Sequence, residues 1–342
     1  MQGVAKLAPG EGNVGLLDVP MPDVRAGHVL IEVKAAGVCG TDIHIYHGEY
    51  TSHPPVIMGH EVAGLVAAIG EGVTNCEIGD RVTCETYFSV CNQCDYCRAG
   101  LPNLCLQRKS IGSGVHGGFT QYVLVPAHNI HHLPPNIDLV EGALSEPLTC
   151  CVHALERTHV EPGEIAIVSG PGAIGLLMAQ VVKAAGAKVL VLGTGADTAR
   201  LDLARTLGAD LAINVEEGQT RQIVDELTGG MGADVVFECA GVGASAQSCL
   251  NLVRRRGRYG QVGLFGKPIT WDLDLVCYKE LEVHGSFAHL PSAWRKALNL
   301  MAAGQIQLRP LVSAILPITE WQAAFDAFER RDGLKIVLKP TG

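Results

Sequence analysis

Short apolar runs separated by Gly and Pro characterise the chain up to about residue 148. Successive side chains of a strand point to opposite faces, and Gly and Pro commonly form the turns between strands. This pattern predicts a β-rich domain with long loops, whose strands include residues 29–33, 62–66 and 122–125.

Between residues 149 and 284 the pattern changes to an alternation of strand-like and helix-like segments. Residues 165–168 form an apolar run typical of a buried strand, and apolar side chains then recur at helical spacing at Ile174, Leu177, Val181 and Ala185. Further strands are predicted at residues 188–192, 211–213, 235–237 and 258–262. Strands that alternate with helices indicate a parallel, doubly wound α/β sheet.

The last segment, residues 285–342, is short for an independent domain. Its pattern predicts two helices and a terminal strand at 336–338, and Thr319 with Gln322 forms a possible capping box for the second helix. We expect this segment to rejoin residues 1–148, which makes the first domain discontinuous and leaves residues 149–284 as the second domain.

The composition is that of a globular protein, because 47% of the 342 residues are apolar and 18% are charged. A net charge of -9 argues against a nucleic-acid-binding surface. The opening residues lack the apolar core of a secretory signal, and no apolar run is long enough to span a bilayer. We expect a cytoplasmic protein without membrane or nucleic-acid partners, whose 12 cysteines are metal ligands and buried thiols and not disulfides.

Four closely spaced cysteines form the strongest motif: Cys91, Cys94, Cys97 and Cys105. Their spacing allows four thiolates to close a tetrahedron around one zinc ion. Because the set leaves no ligand position open, it indicates a structural zinc site. The alternatives are four unrelated loop cysteines or an iron–sulfur cluster.

A glycine-rich hexapeptide, Gly-Pro-Gly-Ala-Ile-Gly, follows the predicted strand at 165–168 and begins a predicted helix. In this context glycines let the backbone approach a pyrophosphate at the helix N-terminus, where amide groups and the helix dipole favour an anion. We expect a dinucleotide to bind at Gly170, Gly172, Ala173, Ile174 and Gly175. The alternative is a glycine-rich turn that binds nothing.

A third set of candidate residues is dispersed along the sequence. Cys39, His60 and Glu146 all carry side chains that can bind zinc. Taken one by one, they could equally be a core thiol, a satisfied polar residue and a surface charge.

These motifs together resemble the zinc-containing medium-chain dehydrogenase/reductase superfamily, and the similarity covers essentially the whole chain. Residues 59–61, Gly-His-Glu, with Gly64 are similar to its zinc signature, residues 79–82 to a turn that follows it, and the cysteine cluster to its structural-zinc lobe. Residues 146–148, Glu-Pro-Leu, are more similar to the polyol (sorbitol-like) and threonine dehydrogenases than to simple alcohol dehydrogenases. The resemblance implies a GroES-like β-rich catalytic domain plus a doubly wound Rossmann domain.

The resemblance also implies a metal-binding role for the dispersed residues. Cys39, His60 and Glu146 would bind a catalytic zinc. Glu61 would be a fourth ligand or the partner of a zinc-bound water, and Asp42 would orient His60. With the cysteine cluster, this implies two zinc ions per chain.

A proton relay is implied in the same way. Thr41 and His44 would carry a proton from the substrate to solvent, because His titrates near neutral pH. A zinc-bound alcohol ionises more easily, and the alkoxide can then pass a hydride to a nicotinamide coenzyme.

The choice of coenzyme depends on the end of the second strand of the doubly wound sheet. A carboxylate there normally binds the ribose hydroxyls of NAD, but the count leads to Gly195. Asp197 lies two residues further and could reach back, whereas Thr194 and Arg200 could hold the 2′-phosphate of NADP. Because the resemblance favours NAD, we expect NAD, with NADP as the alternative.

Together these features predict a zinc-dependent oxidoreductase that transfers a hydride between NAD(P) and a secondary alcohol, either a polyol or a related hydroxylated metabolite. L-threonine and 2,3-butanediol are alternative substrates. Residues 285–289, Gly-Ser-Phe-Ala-His, lack the Arg-Tyr pair usual in sorbitol-type enzymes, which argues against a standard sorbitol pocket. A nucleotide-binding regulatory module is the non-enzymatic alternative, but it would not need a full set of zinc ligands and relay residues. Similar proteins are commonly dimers or tetramers, so we expect a homo-oligomer.

Overall fold

The computed structural model describes residues 1–340 and divides into two compact units. The first contains Met1–Glu146, Leu290–Ala302 and the chain from Leu308 onward, and the second contains Pro147–His289 and Ala303–Gln307. The first unit is therefore built from three separate pieces of the sequence.

Residues 147–148 were expected in the first domain but belong to the second unit, and so do two longer segments, residues 285–289 and 303–307. The strand that ends at Gly285 pairs within the sheet of the second unit. The backbone N–H of Gln307 donates to Oε1 of Gln180 at 2.7 Å, and this contact ties the second segment to the same unit. The corrections for the two longer segments arise from contacts between residues that are distant in sequence.

The strands of the described chain are, in order, β1 Gln2–Lys6, β2 Val14–Asp18, β3 His28–Gly37, β4 Val56–Ile57, β5 Glu61–Ile69, β6 Arg81–Cys84, β7 Tyr87–Ser89, β8 Lys109–Ser110, β9 Tyr122–Pro126, β10 Ile130–His132, β11 Ile165–Ser169, β12 Lys188–Gly193, β13 Leu211–Asn214, β14 Ala233–Glu238, β15 Val253–Gln261, β16 Glu282–Gly285, β17 Val312–Pro317 and β18 Lys335–Lys339.

The helices of the described chain are, in order, α1 Gly40–Tyr46, α2 Asp95–Arg98, α3 Leu139–Gly142, α4 Ser145–Thr158, α5 Ala173–Ala184, α6 Thr198–Thr206, α7 Thr220–Thr228, α8 Gly243–Leu252, α9 Asp274–Tyr278, α10 Pro291–Ala302 and α11 Trp321–Glu329. Over residues 1–340, none of them combines the length and the apolar character needed to cross a bilayer.

A seven-stranded sheet forms the centre of the first unit, with the order β10-β6-β5-β3-β18-β17 and β9 paired with the first half of β3. β3 and β5 run antiparallel, and their register places Gly37 opposite Glu61. Inward-facing side chains such as Ile31, Val62 and Val123 are almost completely buried, which supplies the hydrophobic stabilisation of this unit. The expected β-rich domain is confirmed, and its three predicted strands lie within β3, β5 and β9.

A six-stranded parallel sheet forms the centre of the second unit, with the order β13-β12-β11-β14-β15-β16. Ile167, Leu190 and Val236 are fully buried, as expected for a parallel sheet that is covered on both faces. The strand order reverses between β11 and β14, and ligands of such sheets bind at the carboxyl ends of the strands at this switch point. The predicted doubly wound α/β sheet is confirmed.

The last helix begins later than the sequence pattern suggested. α11 begins at Trp321 with Glu320 as its N-cap, and Thr319 lies in a preceding turn of 3-10 helix, Ile318–Glu320. The predicted capping box of Thr319 and Gln322 is therefore wrong, because the 3-10 turn precedes the helix where the cap was placed.

Candidate active site and metal centres

The four clustered cysteines lie in one loop of the first unit, between β7 and β8. Their sulfur atoms all lie within 4.8 Å of one another, and Sγ of Cys91 is 3.9 Å from Sγ of Cys97. Zinc–sulfur bonds of about 2.3 Å in a tetrahedron place sulfur atoms about 3.8 Å apart, so the loop has the dimensions of such a site. The backbone amides of Gln93 and Cys94 lower the pKa of the Cys91 thiol to about 6, which favours its thiolate, whereas burial raises the pKa of the Cys97 thiol to about 12.

A second group of possible metal ligands lies at adjacent ends of β3 and β5. Cys39 is the N-cap of α1, just after β3, while His60 and Glu61 lie at the start of β5. One ligand atom from each of these residues lies within 4.8 Å of the other two. The register that places Gly37 opposite Glu61 brings them together, and a Cβ on Gly37 would lie only 2.0 Å from Oε2 of Glu61. Glycine is therefore required beside this carboxylate.

Asp42 is fully buried and connects the two segments that carry the candidate ligands. Its Oδ2 accepts a hydrogen bond from the backbone N–H of Cys39 at 2.9 Å, and its Oδ1 accepts one from Gly59 at 3.3 Å. Oδ1 is 3.9 Å from Nδ1 of His60, which is longer than a hydrogen bond. Burial raises the pKa of Asp42, although the charge of His60 acts in the opposite direction. Asp42 thus fixes the backbone around both ligands.

Glu146 lies beside this group, at the start of α4, and is 6% exposed. Burial alone would lower the pKa of His60, but the negative charges of Cys39 and of the nearby carboxylates raise it well above its ordinary value. A largely buried group of thiolate, imidazole and carboxylate ligands, in which Cys39 and His60 remain partly exposed, suits a divalent cation, and these are the ligand types of zinc.

A lysine that the sequence did not reveal contacts the same group. Lys335, the first residue of β18, is 3% exposed, and its Nζ lies 2.7 and 2.8 Å from the two carboxylate oxygens of Glu61. Nζ also donates to the carbonyl oxygen of Val38 at 3.0 Å. Burial acts to lower the pKa of Lys335, but the charges of Glu61 and Cys39 outweigh burial and raise it. The only sequence signal was a lysine beside the apolar terminal strand.

Thr41 and His44 both lie on α1, two and five residues after Cys39. Oγ1 of Thr41 is 3.8 Å from Sγ of Cys39. His44 is partly exposed, and its Nδ1 lies 2.6 Å from Oε2 of Glu49, a contact that was not expected from the sequence. Because Nδ1 faces Glu49, Nε2 is the ring nitrogen left to exchange a proton with other groups.

The glycine-rich loop of the second unit joins β11 to α5. Gly170 has a φ of +101°, and a Cβ there would lie 2.7 Å from Ala240. A Cβ on Gly175 would lie 1.8 Å from the carbonyl oxygen of Gly170, whereas no atom lies within 4 Å of the Cβ position of Gly172. Gly170 and Gly175 therefore shape the loop, and Gly172 leaves the N-terminus of α5 open to a ligand.

Two carboxylates, those of Asp197 and Glu216, lie at the carboxyl end of β12. Oδ2 of Asp197 accepts hydrogen bonds from the backbone N–H and the hydroxyl of Thr194 at 3.1 and 2.8 Å, and Oδ1 lies 3.5 Å from Nη1 of Arg200. Glu216, which was not selected from the sequence, accepts a hydrogen bond from the backbone N–H of Gly195 at 2.9 Å. Asp197 does reach back to the strand end, and a second acidic side chain arrives there from the loop after β13.

Comparisons with known proteins identify relatives of both units. Residues 25–135 match the family model described as alcohol dehydrogenase GroES-like domain, and residues 173–303 match the one described as zinc-binding dehydrogenase. Sorbitol dehydrogenase of Halalkalibacterium halodurans is 40% identical over 99% of both chains. D-arabitol-phosphate dehydrogenase of Enterococcus avium is 39% identical, covering 99% of this chain and 97% of that one. L-threonine 3-dehydrogenase of Bacillus velezensis is 35% identical over 95% of both.

Solved structures superimpose on almost the whole chain. A zinc-binding dehydrogenase from Sinorhizobium meliloti, solved with NADP, has a TM-score of 0.90 at 31% identity and covers 99% of each chain. An alcohol dehydrogenase from Escherichia coli CFT073, solved with NADH, has a TM-score of 0.87 at 26% identity and also covers 99% of each chain.

Proposed function

Because this chain belongs to the zinc-binding alcohol dehydrogenase family, and is therefore an NAD(P)-linked oxidoreductase, we propose that its substrate is a polyol or a related secondary alcohol. The reaction is reversible oxidation of one secondary hydroxyl to a ketone. The observation that carries the proposal is the convergence of zinc-competent side chains at the ends of β3 and β5: Cys39, His60 and Glu61, with Glu146 beside them.

The contacts of Glu61 and Glu146 support different roles for these two glutamates at the metal site. Both oxygens of Glu61 contact Lys335, so this carboxylate already has a buried cationic partner. Glu146, whose charge acts on His60, would join Cys39 and His60 as a permanent ligand of a catalytic zinc, as the family resemblance implies. Glu61 then serves as an exchangeable fourth ligand or as the partner of a bound water. The four-cysteine loop would hold a second, structural zinc.

The chain's own residues position the reacting groups and move the proton. Zinc bound here would lower the pKa of a coordinated hydroxyl, and a bound nicotinamide would accept the hydride. The hydroxyl of Thr41 lies beside Cys39, where it can take the substrate proton while releasing its own towards His44. Nε2 of His44 accepts that proton, and the contact of Nδ1 with Glu49 directs it to the protein surface.

Replacing His44 with alanine should slow turnover most under acidic conditions. The relay is needed when bulk hydroxide is too scarce to remove the proton, so we expect at least about a tenfold loss of kcat on the acidic side and a smaller loss at alkaline pH. The measurement is kcat as a function of pH for the parent and for His44→Ala, with His47→Ala, a second imidazole near the end of α1, as the control. If kcat of His44→Ala and its dependence on pH equal those of the parent, His44 has no part in the mechanism.

For the coenzyme, we propose NAD over NADP. Asp197 and Glu216 place two carboxylates around Gly195, where they would repel a 2′-phosphate, and Arg200 already contacts Asp197. NADP remains the alternative because Thr194 and Arg200 lie at the same strand end.

The substitution Asp197→Ala should lower the ratio of kcat/KM with NAD to kcat/KM with NADP by about tenfold, since it removes one of the two carboxylates that would repel the 2′-phosphate. The measurement is kcat/KM for both coenzymes in the parent, in Asp197→Ala and in Glu216→Gln, which tests the second carboxylate separately. A parent that prefers NADP tenfold would show that Thr194 and Arg200 hold a phosphate instead.

A substrate panel tests the proposed function as a whole. Polyols, polyol phosphates, L-threonine and 2,3-butanediol should be assayed for coenzyme reduction with both NAD and NADP. We expect the highest kcat/KM with a polyol or polyol phosphate, in keeping with the relatives at 40% and 39% identity. A preference for L-threonine would favour the second candidate, to which a relative at 35% identity points. The absence of coenzyme reduction with every alcohol would contradict the proposal.

A homo-oligomer and a cytoplasmic location stay predictions. The edge strand β16 supports the first, because one side of it has no neighbouring strand within the sheet of the described chain. Val283 on this strand is 41% exposed, and Tyr278 and Phe287 near it are 69% and 40% exposed. An open edge with apolar side chains is a surface on which a second copy can pair.

A further inference from the structure

A buried carboxylate at the switch point of the second unit has no part in the chemistry described above. Glu238 is the last residue of β14, and it is fully buried. The hydrogen bonds that its carboxylate oxygens accept come from uncharged backbone and side-chain groups. A buried acidic group without a cationic partner is costly unless other donors satisfy it.

Hydrogen-bond donors surround this carboxylate. Oε1 accepts from the backbone N–H groups of Ala240 and Gly241 at 3.0 and 3.1 Å, and from the hydroxyl of Ser245 at 2.7 Å. Oε2 accepts from Nε2 of Gln261 at 2.8 Å. Four different groups thus donate hydrogen bonds to the Glu238 side chain, an arrangement that suits an ionised carboxylate, which can only accept.

The donors come from elements on both sides of the switch point. Gln261 ends β15, while Ser245 lies in the first turn of α8 and its hydroxyl is 2.8 Å from that of Ser169, the last residue of β11. The backbone N–H of Cys239 donates to the carbonyl oxygen of Ser169 at 2.9 Å. Glu238 therefore ties together the carboxyl ends of β11, β14 and β15.

The loop that Glu238 holds, residues 239–241, packs directly against the glycine-rich loop. Ala240 occupies the space in which a Cβ on Gly170 would lie, at 2.7 Å, and Cβ of Cys239 is 3.6 Å from the Cβ position of Gly175. The shape of the glycine-rich loop thus depends on a neighbouring loop whose two backbone N–H groups bind Glu238.

The carboxylate also changes the electrostatics of the two helices that begin beside the switch point, α5 after β11 and α8 after β14. The helix dipole makes the N-termini of α5 and α8 both attractive to anions. In α8 the first turn already contacts Glu238 through Ser245. In α5 the N-cap is Gly172, which has no side chain and no atom within 4 Å of its Cβ position. Of these two helix starts, that of α5 is the one left open to an external phosphate.

We propose that Glu238 is a positioning residue for the dinucleotide: it fixes loop 239–241 against the glycine-rich loop and occupies the start of α8, so that the pyrophosphate is directed to α5. The inference rests on the proposed coenzyme-dependent function.

The test is coenzyme affinity in Glu238→Gln, measured by the quenching of protein fluorescence on binding of NADH and NADPH. Glutamine keeps the size of the side chain, but in either orientation its NH2 group would face another donor, either the N–H groups of Ala240 and Gly241 or Nε2 of Gln261. We expect the Kd of the preferred coenzyme to rise about tenfold or more, from the loss of buried hydrogen bonds. The Kd of adenosine, which would contact only the end of β12, should stay within about twofold.

Glu85→Gln is the matched control, because Glu85 is a buried carboxylate of the first unit that lies 3.0 Å from Nε2 of His131. It should lower the melting temperature without changing the Kd of the coenzyme. If Glu238→Gln does not fold, Ser245→Ala removes one donor from the same network and should raise the Kd about threefold.

Two outcomes would overturn the inference alone: an unchanged Kd in both variants of the network, or an equal loss of adenosine and coenzyme binding. A parent that binds neither coenzyme would overturn the proposed function and, with it, this inference.

Discussion

Cys39→Ala is expected to abolish turnover while both units stay folded. The thiolate is one of the few groups able to hold the catalytic zinc, and without the metal the substrate hydroxyl loses its Lewis acid, so kcat should fall at least about a thousandfold. Cys39 is only partly buried and lies in the connection between β3 and α1, so its loss should leave the melting temperature within a few degrees of the parent. Zinc content should fall from about two ions per chain to about one.

The measurements are kcat at saturating substrate, zinc content and thermal unfolding of the same preparation. Cys277→Ala is the matched control, because Cys277 is an exposed cysteine of the second unit with no ligand role. Turnover of Cys39→Ala near that of the parent would show that the reaction does not use this metal site.

Cys94→Ser should act on stability instead of chemistry. The loop that carries the four cysteines has almost no apolar core of its own: no residue of α2 is buried, and Leu106 is 92% exposed. The metal would therefore supply most of the folding free energy of this loop, as in small zinc-bound modules. Loss of one ligand should lower the melting temperature by roughly 10 °C and release the structural zinc.

Thermal unfolding, zinc content and limited proteolysis between Cys91 and Cys105 measure these effects. Cys277→Ala again serves as the control, and the protein that remains folded should keep most of its kcat. An unchanged melting temperature and a full zinc content in Cys94→Ser would contradict a structural metal in this loop.

The sequence was most informative where a function depends on neighbouring residues. The four cysteines and the glycine-rich hexapeptide are local motifs, and the alternation of strands and helices predicted the doubly wound sheet. Cys39, His60 and Glu146 could not be joined by spacing alone, because the register of β3 against β5 brings the first two together. Only the resemblance to a family connected them.

The residues that the sequence did not reveal act through long-range contacts. Lys335 contacts Glu61 across 274 residues of sequence, and Gln261 contacts Glu238 across 23. Lysine and glutamate are common at surfaces, so their burial here is a property of tertiary packing and leaves little trace in a single sequence. The assignment of residues 285–289 and 303–307 to the second unit could not be predicted for the same reason, since pairing of β16 and the bond between Gln307 and Gln180 determine it.

The transfer of deuterium from the carbinol carbon of a labelled polyol tests the central claim most directly. The best substrate of the panel is labelled at the carbon that is oxidised, and the reduced coenzyme is analysed by mass spectrometry. We predict that each reduced nicotinamide formed by the parent carries the deuterium, and that Cys39→Ala forms almost none. Reduced coenzyme that lacks the label, or labelled coenzyme formed equally well by Cys39→Ala, would contradict direct hydride transfer at this zinc site.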